Sequence, residues 1–136
     1  MIKITQATDK DNLDKEWSIL DDVHFRGKIN WYEHNYRFKA TENQKLIGMI
    51  EGKCEPGVVT ISTLITIKSS RGQGIGTMLV ARAIKFGKKY NAHKVWLITG
   101  GDWSENVFYQ KLGFKLTGNL PDFYLHTNCV IYTKSI

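Results

Sequence analysis

The order of apolar and polar positions divides the chain into short strands and a few helices. "IKITQA" (residues 2–7) alternates apolar and polar side chains, the pattern of an opening strand with one covered face. Asp9 to Asn12 offer a helix start, and Leu13, Trp17 and Leu20 follow at helical spacing. From His24 to Tyr36, "HFRGKINWYEHNY" is aromatic and polar with weak periodicity, which suits a loop or a short second helix. Three segments rich in β-branched residues come next: "RFKATEN", "KLIGMIEGKC" and "VVTISTLITIK". Glu42-Asn43-Gln44 and Glu55-Pro56-Gly57 separate them as hairpin turns, so three antiparallel strands in succession are predicted.

The second half changes period. In "SSRGQGIGTMLVARAIKFGKKY" (residues 69–90), Ile75, Leu79, Ala83, Phe86 and Tyr90 recur at intervals of three and four, which places them on one face of a helix. "HKVWLIT" has no polar alternation, as expected of a strand buried on both faces and parallel to a neighbour, with the preceding helix as its crossover. "SENVFYQKLGF" reads as a helix with Ser104 as N-cap and Gly113 at its C-terminal end. "FKLTGNL" and "FYLHTNCVIYTK" supply two closing strands. With no internal repeat or linker, residues 1–136 read as a single domain of mixed α/β (α+β) class, with about seven strands and flanking helices.

Composition narrows this only a little. Hydrophobic residues make up 42% and charged residues 24%, ordinary for a globular protein, and no apolar run is long enough to span a bilayer. The N-terminus lacks the pattern of a secretory signal, so a cytoplasmic location is expected. Cys54 and Cys129 are too few for a disulfide framework and too far apart for a metal-binding pair, so buried reduced thiols and no metal are expected. A formal net charge of +6 favours an anionic partner of some kind.

The glycine stretch says which kind. It lies between a strand and a helix, where the first N–H groups of the helix lack internal partners and the dipole favours negative charge. Gly72, Gly74 and Gly76 have no Cβ to hold an anion away, and Arg71 can add a bidentate contact, so the stretch fits a pyrophosphate cradle. It is not a Walker loop, because Thr77 and Met78 follow the last glycine where Lys-Ser or Lys-Thr would stand. Nor is it a dinucleotide fingerprint, which needs a further glycine and a different order of elements.

Arg71-Gly72-Gln73-Gly74-Ile75-Gly76 resembles the acetyl-CoA pyrophosphate motif of the GNAT N-acetyltransferase superfamily, and "FYQKLGF" (residues 108–114) resembles its second signature. The two stand in the right order, and the resemblance covers essentially the whole chain, weakening over residues 20–40. It implies a mostly antiparallel sheet with one splayed parallel pair, and acetyl-CoA as co-substrate. The pyrophosphate would lie on amides from Arg71 through Gly72, Gln73, Gly74, Ile75 and Gly76 to Thr77. The strand around Leu64, Ile65 and Ile67 would pair with the pantetheine arm, and a bulge there would aim an N–H at the thioester oxygen. Tyr109 matches the tyrosine that protonates the departing thiolate in many members, or that only contacts the cofactor sulfur.

Three features depart from the family pattern. The link from strand to Arg71 is short, Asp102 stands where an asparagine is common, and residues 58–67 hold no carboxylate or histidine to act as base. Ser104 or Asn106 is therefore expected to contact pantetheine instead. Glu51 is the nearest base candidate, with Glu33, His34 and His126 more remote and Ser62 able to relay through water. Trp31 and Tyr32 lie where the family builds its acceptor pocket. The resemblance thus implies an N-acetyltransferase acting on a small-molecule or peptide amine by direct transfer in a ternary complex. The alternatives are a module that binds acyl-CoA without catalysis, suggested by the missing base, and a nucleic-acid-binding protein, suggested by Lys85, Lys88, Lys89 and Lys94. No nucleic-acid motif accompanies those lysines, so neither nucleic acid nor membrane is expected as a partner. Many relatives dimerise, and the closing strands could supply a homodimer interface.

Overall fold

The computed structural model describes residues 1–136, which fall into two compact units, Met1–Trp31 and Tyr32–Ile136. The first unit is built around α1 (Asp14–His24). Asp14 and Glu16 in its first turn and His24 in its last complement the helix dipole. Ahead of it, the Asp11 carboxylate accepts from the Thr8 amide at 2.8 Å and closes a turn. The strand expected at residues 2–7 does not form. Alternation tells which face of a strand would be covered, but a strand also needs a neighbour for its N–H and C=O groups, and this segment joins no sheet. The segment from His24 to Tyr36 forms no second helix.

The second unit holds β1 (His34–Glu42), β2 (Lys45–Glu55), β3 (Val58–Thr66), α2 (Ile75–Lys89), β4 (Lys94–Gly100), α3 (Asn106–Lys111), β5 (Lys115–Leu120) and β6 (Cys129–Ser135). The sheet has six strands rather than about seven, in the order β1-β2-β3-β4-β6-β5. All pairs are antiparallel except β3 with β4, the pair that the connection through α2 joins. The hairpin between β1 and β2 turns at Asn43 and Gln44, both in the left-handed region, as a tight two-residue turn requires. The last strand starts later than "FYLHTNCVIYTK" suggests, because residues 123–128 are a loop with one short helical turn.

The core lies where α2 covers the sheet. Ile75, Leu79 and Ala83 are buried, as their spacing predicts, against Ile50, Val59 and Val95, which are fully enclosed. Burying such side chains stabilises the fold by about 1.5–3 kcal/mol each. Cys54 and Cys129 are buried and unpaired, and burial pushes the Cys54 thiol above its ordinary pKa. No helix is long and apolar enough to cross a membrane.

Two irregularities interrupt the sheet on either side of β3. β3 and β4 pair only at Val58↔Lys94, Val59↔Val95 and Thr60↔Trp96, where the Trp96 indole N–H also bonds the Thr60 hydroxyl at 2.9 Å. Beyond that point the two strands part. On the other side of β3 the register with β2 jumps from Glu51↔Thr63 to Gly52↔Ile61, so Ser62 is an unmatched bulge residue. A bulge bends its strand and adds twist, and it stands where β3 leaves β4.

Candidate active site

An open cleft of about 580 Å3 lies between the C-terminal end of β3, the loop before α2, and α3. This is the size range of small-molecule sites. The loop is shaped by Gly72 and Gly74, at φ +79° and +80°, where a side chain would be strained, and a Cβ at either would meet no atom within 4 Å. Gly74 is the N-cap of α2 and supplies no side-chain cap. The first intrahelical bond runs from the Met78 amide to the Gly74 carbonyl at 3.0 Å, and the amides of residues 72–77 donate to no group in the chain. Six N–H groups at the positive end of a 15-residue helix are thus free for an anion.

The neighbours of the loop have divided roles. The Arg71 amide is committed to the Lys68 carbonyl at 3.3 Å, so the run of free amides starts at Gly72 rather than at Arg71. Arg71 Nε donates to the Thr66 carbonyl at 3.0 Å, which ties the loop to the end of β3 and leaves the remaining guanidinium donors over the cleft. A Cβ at Gly76 would lie 3.1 Å from the Phe108 ring, so glycine there lets α3 close against α2 as well as exposing an amide.

Tyr109 reaches the same cleft from α3. Its ring is wedged among Phe108, Phe114 and Tyr132, with centroids 5.2, 5.7 and 6.2 Å away, while its hydroxyl makes no hydrogen bond in the chain. Burial, then the nearby charge of Glu105, raises its pKa, so it stays a phenol at neutral pH. α3 begins one residue later than expected: Glu105 stands at its N-cap position, and Ser104 contributes only a backbone carbonyl to Val107. Asn106 is buried, and its Nδ2 donates to the Gly100 and Gly101 carbonyls at 3.0 Å each. Its Oδ1 is the one buried side-chain polar atom without a partner, next to the end of β4 where that strand stands apart from β3. Unsatisfied groups of this kind fit the backbone and amide polarity of an extended ligand.

Of the residues singled out from sequence, the cleft brings together Leu64, Arg71, Gly72, Gly74, Ile75, Gly76, Thr77 and Tyr109. Ile65, Ile67, Gln73, Ser104 and Asn106 lie outside its lining. Tyr32 donates to the Tyr90 carbonyl at 2.8 Å and stacks on His34, at the far end of α2, about 22 Å along the helix from the glycine loop. Trp31 is half exposed in the first unit, its ring 6.3 Å from Phe25. Glu51 pairs with Arg37 at 2.8 Å, beside the bulge rather than in the cleft. The bulge itself falls at Ser62, upstream of Leu64. Thr66, Ser70, Glu105, Phe108 and Lys111 also line the cleft and were not anticipated.

These features define a class: a mixed α/β fold in which two parallel strands part beside a helix terminus whose first amides have no partner in the chain. The chain belongs to the acetyltransferase (GNAT) family, whose model matches residues 4–114. Solved structures of the same fold include an acetyltransferase from Bacillus cereus, with 16% identity over 99% of this chain and 98% of that one at a TM-score of 0.72. The ribosomal-protein-S18-alanine N-acetyltransferase from Escherichia coli is 18% identical over 76% of this chain and 70% of its own, with a TM-score of 0.69. An aminoglycoside 6'-N-acetyltransferase complexed with coenzyme A is 19% identical over 75% and 73%, with a TM-score of 0.65. No curated protein matches by sequence.

Proposed function

We propose that this protein is an acetyl-CoA-dependent N-acetyltransferase that transfers the acetyl group to an amine by direct attack. The carrying observation is a single cleft lined by Gly72, Gly74, Ile75, Gly76 and Thr77, whose amides are unbonded, and by Tyr109 with its unpartnered hydroxyl, at the parting of β3 and β4. Because the family match runs across both units, residues 1–136 are read as one catalytic domain.

The residues present fit the co-substrate. The amides of residues 72–77 and the Arg71 guanidinium would hold the pyrophosphate. The backbone edges of β3 and β4 beyond Thr60 and Trp96, with no partner between them, would receive the pantetheine arm as an added strand does. The bulge at Ser62 turns backbone N–H groups out of the ladder, and such a group is suited to an oxyanion. Bound acetyl-CoA supplies the activated acyl group. Tyr109, held protonated by burial, gives its proton to the leaving sulfur.

Titration calorimetry with acetyl-CoA, followed by thiol release measured against a panel of small amines and peptide N-termini, tests this. Saturable heat and amine-dependent thiol release are expected. No heat at about millimolar acetyl-CoA, some 4 kcal/mol of binding, overturns it.

A further inference from the structure

Resting on that reading, we infer that Glu105 is the general base of the site, taking a proton from the incoming ammonium in the cleft where Tyr109 protonates the leaving sulfur. An amine must lose a proton before its lone pair can attack, and β3 carries no carboxylate or histidine. The other candidates are occupied elsewhere. Glu51 is paired with Arg37 at 2.8 Å and Glu33 with Lys53 at 3.8 Å. His34 is stacked between Tyr32 and Tyr90, with the nearer ring 4.1 Å away. His126 is bonded to Asp122 at 2.6 Å and lines a separate cleft with Trp103 and Asn128.

Glu105 is the one carboxylate lining the cleft of the glycine loop. It has no ion-pair partner and no side-chain hydrogen bond in the chain. Its carbonyl accepts the amides of Phe108 and Tyr109 at 3.0 and 3.4 Å, which puts Glu105 one helical turn before Tyr109 on the same face. The raised pKa of Tyr109, to which Glu105 contributes, agrees with that proximity. The other charged groups lining that cleft are Arg71, from the loop before α2, and Lys111 of α3. β3 offers the cleft only Leu64 and Thr66.

The protons balance. Glu105 removes one from R–NH3+ and releases it to solvent. The freed nitrogen forms the N–C bond to the acetyl carbonyl, and the C–S bond breaks with its electron pair on sulfur. Tyr109 donates its proton to that sulfur. The remaining surplus proton leaves the nitrogen to Glu105 and passes to the Tyr109 phenolate, which restores both groups and yields the amide and CoA thiol.

E105Q, E105D and Y109F decide the matter in the full chain, each checked by thermal melt. E105Q is expected to lower kcat about 10²-fold near neutral pH, with acetyl-CoA Kd within about twofold. Its kcat/KM should follow the free-amine fraction, with a slope of about one per pH unit, and E105D should recover part of the loss. Without any ligand, the tyrosine titration that Y109F removes from the ultraviolet spectrum should move to lower pH in E105Q. Unchanged kcat in E105Q, a loss of acetyl-CoA affinity that parallels the loss of rate, or an unmoved Tyr109 titration each overturns the assignment while leaving the acetyltransferase reading intact. A wild-type protein that binds no acetyl-CoA overturns both.

Discussion

The two ends of α2 are treated in opposite ways. At the N-terminal end the chain supplies no cap: Gly74 has no side chain, and the amides of residues 72–77 have no partner in the chain. At the C-terminal end every resource is used. The Gly87 carbonyl accepts from Tyr90 and Ala92, the Tyr90 carbonyl accepts the Tyr32 hydroxyl, and Lys88 and Lys89 sit in the last turn against the negative pole. His34 and Tyr32 close the end with stacked rings. Helix termini are normally satisfied, so one left bare opposite one sealed is where the proposed acetyl-CoA site can be tested against the rest of the helix.

The comparison breaks most sharply at Gly74. Gly74→Glu puts a side chain and a negative charge into the cradle at a φ of +80°. The fold should lose about 1–2 kcal/mol from the left-handed backbone alone. Acetyl-CoA affinity should fall on the order of 10²-fold or more, about 3 kcal/mol, by calorimetry. Retained binding would mean that the bare terminus is not the anion site.

Tyr109→Phe separates chemistry from binding at the same end. The hydroxyl has no partner in the chain, so its removal should leave the melting temperature and the acetyl-CoA Kd nearly unchanged while kcat falls on the order of 10²-fold. The pH dependence has a fixed sign. A general acid works only while protonated, and burial with Glu105 places this phenol above the ordinary value of 10.0, so its contribution is full at neutral pH and is lost only as pH rises past 10. The wild-type rate profile should show that alkaline limb, and Tyr109→Phe should lack it.

Features that depend on near neighbours in sequence were legible before the structure. The 3.6-residue spacing of Ile75, Leu79 and Ala83, the glycines before them and the β-branched runs from Arg37 to Ile67 all report local preference, and each became the element it suggested. What depends on pairing was not legible. Residues 2–7 alternate like a strand but find no partner, and the bulge falls at Ser62 because only the register against β2 decides it. The same limit applies to Tyr32. Its position suggested an acceptor pocket, yet the carbonyl it serves lies 58 residues away. Glu105 was not singled out because in sequence it is only the first polar residue of a predicted helix, and its place in the cleft with Tyr109 depends on how α3 packs beside the glycine loop.

Tyr32→Phe tests the sealed end by the smallest chemical change available there. Losing the hydrogen bond to the Tyr90 carbonyl should cost about 1 kcal/mol in a denaturant titration. Acetyl-CoA affinity should stay the same, because the glycine loop lies at the other end of α2. A stability loss accompanied by weaker binding would show that the two termini are coupled.

The smallest effect belongs to the exposed charges of the last turn. Lys88→Gln removes one cation from the negative pole of α2 without touching the aromatic seal, whereas Lys89 also lies 5.6 Å over the Tyr90 ring. The expected loss is about 0.3–1 kcal/mol at low ionic strength, and it should shrink as salt rises toward about 1 M, where the Debye length falls to about 3 Å. Denaturant midpoints at two salt concentrations measure it. A loss that persists at high salt would assign Lys88 a packing role for its methylene stem instead, and the sealed end would then rest on contacts rather than on charge.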